Sequence, residues 1–192
     1  MKKILTILII IFTFQTSSKA DDIRDFQIEG ISVGDSLLDY FSKQKIKKAP
    51  RYDNTNSSFK SDKFFSIRLK NIGKYTEMMF SIKKNDESFK TYSVQGLIKH
   101  ENNISECYKK IDKISDEIET LFVKANKRKQ DHAHRGDKTG KSRVTTISFT
   151  LKSGDRINLQ CYDWTKKMKY WDNLRVGIFT KEFRDWLYRE AY

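Results

Sequence analysis

No cysteine precedes Cys107, one proline (Pro50) interrupts the whole chain, and beyond Phe14 no apolar run is long enough to cross a bilayer. The first absence excludes lipid attachment near the start of the chain. The last excludes a later membrane-spanning helix. Cys107 and Cys161 are the only cysteines, and their spacing matches neither a CxxC redox motif nor a zinc pattern. The signatures GxSxG and HExxH are missing, as is any Cys-His arrangement, so no nucleophile announces itself. Acids are short as well: 25 Asp and Glu stand against 38 Lys and Arg, a net charge of +13. Part of that excess is compositional, because a chain rich in Lys, Ile, Asn, Phe and Tyr with five alanines is what an AT-rich coding sequence yields.

The chain begins MKKILTILIIIFTFQTSSKA. Lys2 and Lys3 precede eleven mostly apolar residues from Ile4 to Phe14, and small and polar residues then lead to Ala20. That is the layout of a secretory signal peptide over residues 1 to 20, with cleavage after Ala20. Removal of Lys2, Lys3 and Lys19 leaves +10 on residues 21 to 192, a length that suits one domain with its own core. A basic exported protein attracts anionic envelope surfaces such as phospholipid head groups, lipopolysaccharide or acidic polymers. For nucleic acid the chain has charge but no recognised motif. Export also places the two cysteines where oxidation is expected, so Cys107 and Cys161 are read as one disulfide.

Periodicity predicts an α+β domain. In IEGISVGDSLLDYF a short strand and a turn at Gly30 lead into a helix, with Ser32 and Asp35 in capping-box relation. A connector runs from Ser42 to Lys63. Alternating apolar residues then mark three strands around Phe65 to Leu69, Met78 to Ile82 and Tyr92 to Ile98. Helical spacing of Ile104, Cys107, Ile111, Ile114, Ile118, Leu121 and Phe122 marks a long amphipathic helix over residues 104 to 125, opening after Asn103. Three more strands follow around Ile147 to Leu151, Ile157 to Cys161 and Leu174 to Ile178, and a C-terminal helix from Lys181 turns Phe183, Trp186 and Leu187 inward. The expected architecture is an antiparallel sheet of about six strands in two three-stranded meanders, a tandem α-β-β-β order. Cys107 and Cys161 both face the layer between helix and sheet.

HAHRGDKTGKS, residues 132 to 142, combines fragments of three motifs: a two-histidine metal clip, an Arg-Gly-Asp adhesion triplet that is most simply chance, and the GKS of a phosphate loop. As a phosphate loop it fails, because Gly136 and Gly140 enclose three residues where four are needed, and because a helix precedes it and a strand follows. No nucleotide or other cofactor is therefore expected. Asp131, His132 and His134 are the residues from which a metal site would have to be built, and with them the alternative function, a periplasmic hydrolase with a metal-assisted site in a sheet cleft. Two surfaces stand out for binding. Residues 124 to 143 read as a long loop with eight basic residues, among them Arg135, Lys138, Lys141 and Arg143, against Asp131 and Asp137. In YDWTKKMKYWDNLR, Tyr162, Trp164, Tyr170 and Trp171 flank Lys166, Lys167 and Lys169, a mixture that suits a lipid interface, a sugar stack or single-stranded nucleic acid.

Together, IEGISVGDSLLDYF, GDKTGKS, CYDW and TKEFRDWL resemble a family of uncharacterised exported proteins from AT-rich marine alphaproteobacteria of the Pelagibacter type. That resemblance implies source and compartment and carries no chemistry. The strand-to-helix segment followed by a meander is also similar to small envelope domains such as the outer-membrane-assembly lipoproteins and the β-lactamase-inhibitor proteins, although the lipoproteins' cysteine is missing. The expectation is a non-enzymatic periplasmic binding or accessory protein that engages an anionic envelope component or a partner protein through the two surfaces.

Overall fold

The computed structural model describes residues 21 to 192 apart from 54 to 58 and 102, so the expected signal peptide lies outside the described residues. After short 3-10 turns at Ile23–Asp25 and Leu37–Asp39 come α1 (Lys43–Lys48), β1 (Arg51–Tyr52), β2 (Phe64–Ile72), β3 (Tyr75–Lys83) and β4 (Thr91–Lys99). The second half holds α2 (Ile104–Leu121), β5 (Asn126–Ala133), β6 (Arg143–Thr150), β7 (Arg156–Asp163), β8 (Asn173–Phe179) and α3 (Lys181–Arg189). All eight strands form one antiparallel sheet in the order β1-β2-β3-β4-β8-β7-β6-β5. Each half is thus a helix followed by a four-stranded meander, and the two meet along β4 and β8.

Strand alternation gives the sheet two unlike faces. Ile67, Phe80, Val94, Ile178, Ile157 and Phe149 form a nearly continuous row of buried apolar cross-strand pairs. α2 covers this face over β7 and β8 with Cys107, Ile111 and Ile118, and the N-terminal segment adds Ile23, Ile31, Leu37 and Ile46 to the same core. The disulfide Cys107–Cys161, with Cα atoms 5.9 Å apart, ties helix to sheet through that layer as expected. The other face is polar over most of its area and carries a second, smaller core at one end. There Phe64, Phe179, Phe183, Trp186 and Ala191 gather under α3. A register shift between Ser81 and Ile82 leaves Tyr92 unpaired in the ladder, and its ring meets Phe64 at 5.2 Å in this cluster. Thr180 caps α3 by accepting from the Phe183 N–H at 3.2 Å.

Five expectations need correction. The sheet has eight strands, not six, because β1 and β5 lack the alternation that reveals a strand. β5 reads NKRKQDHA and is exposed at every position, an edge strand held by its ladder to β6. Residues 124 to 143 are therefore not a long loop; the loop is residues 134 to 142. α2 ends at Leu121, short of 125, and Lys127 and Lys129 lie beyond it on β5, where they pair with Glu119 and Asp112 of α2. The helix expected after Ser32 is a single 3-10 turn. Asp35 accepts from the Ser32 N–H at 2.9 Å, and the backbone then runs against β4, with the Gly34 N–H bonding the Thr91 carbonyl at 2.8 Å instead of opening a helix. Ser42 caps the short α1 inside what reads as a connector.

Candidate functional site

The GDKTGKS segment turns out to be built around a carboxylate. One oxygen of Asp137 accepts from the Thr139 N–H (2.9 Å) and hydroxyl (2.7 Å), and the other accepts from the Ser142 N–H (2.9 Å) and hydroxyl (2.6 Å). Those donors hold the Asp137 carboxyl far below the usual carboxylate range. Amides that in a phosphate loop would face a ligand are here directed at the chain's own buried aspartate. The Ser142 hydroxyl also accepts from the Thr165 N–H at 3.1 Å, which fastens this loop to the one between β7 and β8.

That second loop supplies the aromatic-lysine surface. The Trp164 N–H donates to Asp172 at 2.8 Å, and the Trp164 ring lies 4.3 Å from His134, 4.8 Å from Tyr170 and 5.9 Å from Tyr162, the last nearly parallel. Lys166–Met168 make a 3-10 turn that ends with Lys169 in the left-handed region at φ 55°. Trp164 is half-buried, whereas Tyr170 and Trp171 are 61% and 52% exposed, with the Lys99 ammonium 3.5 Å above the Trp171 ring. The structure thus joins two surfaces that are far apart in sequence. Arg135, Lys138, Lys141, Lys166, Lys167 and Lys169 are exposed around them, with no ion pair among the described residues. Arg143 does not belong to that group: it pairs with Asp131 across β5 and β6.

The metal candidates do not converge. Asp131 is held by Arg143 and by the Thr145 hydroxyl at 2.7 Å, and its neighbour His132 points to the opposite face of the same strand. His134 accepts from the Gly136 N–H through Nδ1 at 3.0 Å, and burial first, then Arg175, holds its imidazole below the ordinary histidine value. No cluster of three or more metal-ligating side chains occurs among the described residues, whereas a zinc site requires three or four ligands.

A third surface was missed at the sequence level. On the polar face, Arg68, Met79, Gln95, Gly177, Asn158 and Ser148 form one cross-strand row, and Glu77, Leu97, Arg175, Gln160 and Thr146 form the next. α3 overhangs the first row and leaves a cleft of about 490 Å³. Its lining includes Arg68, Arg175 and Arg184 and no acidic side chain. In sequence these residues are the outward alternates of their strands, which read as solvent-facing. The available signal was their type, Arg, Asn and Gln on adjoining strands where an ordinary solvated face would mix Lys with Glu. Among the described residues no helix is long and apolar enough to cross a membrane. Compared with known protein families, with curated proteins and with solved structures, the chain matches none.

Proposed function

We propose that the protein is an exported, periplasmic binding protein without catalytic activity of its own, and that it docks on an anionic membrane surface through the joined loops 134 to 142 and 164 to 172. The observation that carries this reading is the coincidence of six exposed cations, which form no ion pair among the described residues, with the exposed rings of Tyr170 and Trp171 on one end of the sheet. Indole and phenol rings suit the headgroup region, and each lysine or arginine near an anionic surface contributes about 1 kcal/mol. The Asp137 hydrogen bonds support it too, since they hold both loops in place before contact, so little ordering is required on docking. The Cys107–Cys161 bridge fits an oxidising compartment, which is also the one that the resemblance to exported marine proteins implies.

The test is co-sedimentation of the oxidised protein with anionic and with neutral lipid vesicles at low and high salt. Binding is expected to the anionic set alone and to fall as salt screens the charges. Replacing Lys166, Lys167 and Lys169 with Glu changes the surface by six charges, which at about 1 kcal/mol each lowers partitioning more than a hundredfold. The same variant leaves the melting temperature almost unchanged, because all three side chains are exposed. Undiminished binding of the triple variant would overturn the reading, and no vesicle binding at low salt would turn the search to a partner protein.

A further inference from the structure

We propose that the polar face of the sheet is a second site, independent of the docking loops, which takes an amphipathic organic anion: a carboxylate or phosphate head on an apolar or aromatic body. Its position is the cleft between α3 and the strands around the β4–β8 seam.

Charge is the first argument. Arg68, Arg175 and Arg184 line the cleft with no acid among the lining residues. Arg68 is compensated by Glu77 just outside, at 3.0 Å. Arg175 and Arg184 have no carboxylate partner among the described residues. The Arg175 guanidinium is held in place, with Nε donating to Asn173 at 3.2 Å and its carbon 4.2 Å from the Tyr162 ring centre. Its terminal N–H groups are left as a fork, the geometry that pairs two-to-two with a carboxylate or phosphate. Arg156, in the adjoining row, is held below the usual guanidinium range by burial and by the neighbouring Arg184. With Glu77 committed to Arg68, the remaining cations of the cleft lining have no acid among the described residues to neutralise them and favour an anion.

Hydrogen bonding is the second argument. Arg184 is fixed in the cleft wall by one terminal N–H group, which donates to the Gly154 carbonyl, and the amides of Asn158, Gln160 and Gln95 place neutral polar groups in the lining beside the arginines.

The apolar half of the ligand follows from Gly177. A Cβ there would lie 2.6 Å from the Phe179 ring, so the ring reaches back over the glycine and lies against the sheet. With Phe183 and Leu187 it forms an apolar floor and side at the α3 end, while Arg175 and Gln160 lie one row further away. The Phe179, Phe183 and Leu187 wall therefore suits hydrocarbon or an aromatic ring, and Arg175 on the strands and Arg184 on α3 stand on either side of it to take the acid group.

The experiment titrates the oxidised protein with the anionic dye 8-anilinonaphthalene-1-sulfonate and with its neutral relative N-phenyl-1-naphthylamine, both followed by fluorescence. The sulfonate is expected to saturate at one site per chain, with the neutral dye about tenfold weaker or more, since hydrogen bonds to charged groups are worth roughly that factor. Arg175→Gln and Arg184→Gln, each checked for fold by circular dichroism, should each weaken the sulfonate about tenfold, while the Lys166, Lys167 and Lys169 charge reversals leave it unchanged. Displacement by decanoate and by decyl phosphate compares the two head groups, and whichever displaces better identifies the class. Equal affinity for the neutral dye, or full affinity in both arginine variants, would overturn the proposal. Displacement by inorganic phosphate as effective as by decanoate would overturn the amphipathic part of it. Loss of the sulfonate in the lysine variant alone would assign the dye to the loops and likewise overturn it.

Discussion

Trp186→Ala should cost about 3–5 kcal/mol, the range for emptying a large aromatic site in a core. Trp186 is 1% exposed, and its ring centre lies 5.1 Å from Phe64, 5.2 Å from Phe59 and 5.5 Å from Phe183. Its indole N–H also donates to the Ser61 hydroxyl at 2.9 Å. For a domain of this size each kcal/mol moves the melting temperature by about 2–4 °C, so the variant should melt roughly 6–20 °C lower. Trp186→Phe keeps most of the ring contact and loses the hydrogen bond, so it should cost about 1–2 kcal/mol. The loss is expected to be local, because the α3 cluster and the main core lie on opposite faces of the sheet. Urea denaturation by far-ultraviolet circular dichroism gives the energy, and amide hydrogen exchange gives the location: faster exchange over Phe183 to Ala191, with α2 still protected. A cost below about 1 kcal/mol for Trp186→Ala would refute the reasoning, since it would mean that α3 does not rest on the sheet through this residue.

Two further predictions concern the covalent link and the acid side of the stability profile. The disulfide closes a chain separation of 54 residues, so replacing Cys107 and Cys161 together with Ala should cost about 4 kcal/mol, and an unchanged urea midpoint would contradict this. Burial, and then Lys110, holds the His100 imidazole below its ordinary value against the opposing pull of Glu106 and Asp172, and burial does the same to His134. In that window the unfolded chain binds more protons than the folded one. Stability is therefore complete above about pH 6.5 and falls as the pH drops through the lowered folded values. Asp137 adds a second loss below about pH 4, because its folded carboxyl resists protonation longer than the unfolded one. Urea midpoints measured from pH 8 down to pH 3 should decline in both steps; a rise between pH 7 and pH 5 would contradict the histidine assignment.

What could be read from the sequence is what burial writes into it. The strands that contribute Phe65 to Leu69, Met78 to Ile82, Ile147 to Leu151, Ile157 to Cys161 and Leu174 to Ile178 must place every second side chain in one core, and α2 must do so at helical spacing, so each leaves a period. β5 buries nothing, and Asn126 to Ala133 is therefore silent: its reason for being a strand is the backbone ladder to β6, which any sequence could make. The segment after Ser32 failed for a related reason. Its Ser and Asp satisfy the local rule for a helix start, but the backbone bonds to Thr91 and Phe89, more than 50 residues away, take precedence over that rule. Of the candidate binding residues, exposure and charge were legible, while pairing was not. Nothing local distinguishes Arg143, which meets Asp131, from Lys141, which meets no acid among the described residues.

Antiparallel order explains why the two docking loops are neighbours and why the cleft begins beside them. Successive connections of a meander alternate between the two ends of a sheet, so the β5–β6 and β7–β8 loops both fall at one end and the β6–β7 turn at the other. α3 follows β8 and is therefore placed at the end away from the loops, as the bond from the Lys181 N–H to Asp155 in the β6–β7 turn shows. The polar face lies between them, with the loops at one end and α3 at the other. Tyr162 belongs to both regions, stacked against Trp164 in the loop and lying beneath Arg175 in the cleft. Both candidate sites therefore depend on a single architectural fact: a sheet whose one face is committed to the core, and whose other face is enclosed at the α3 end by an aromatic cluster and lined along its middle by Arg68 and Arg175.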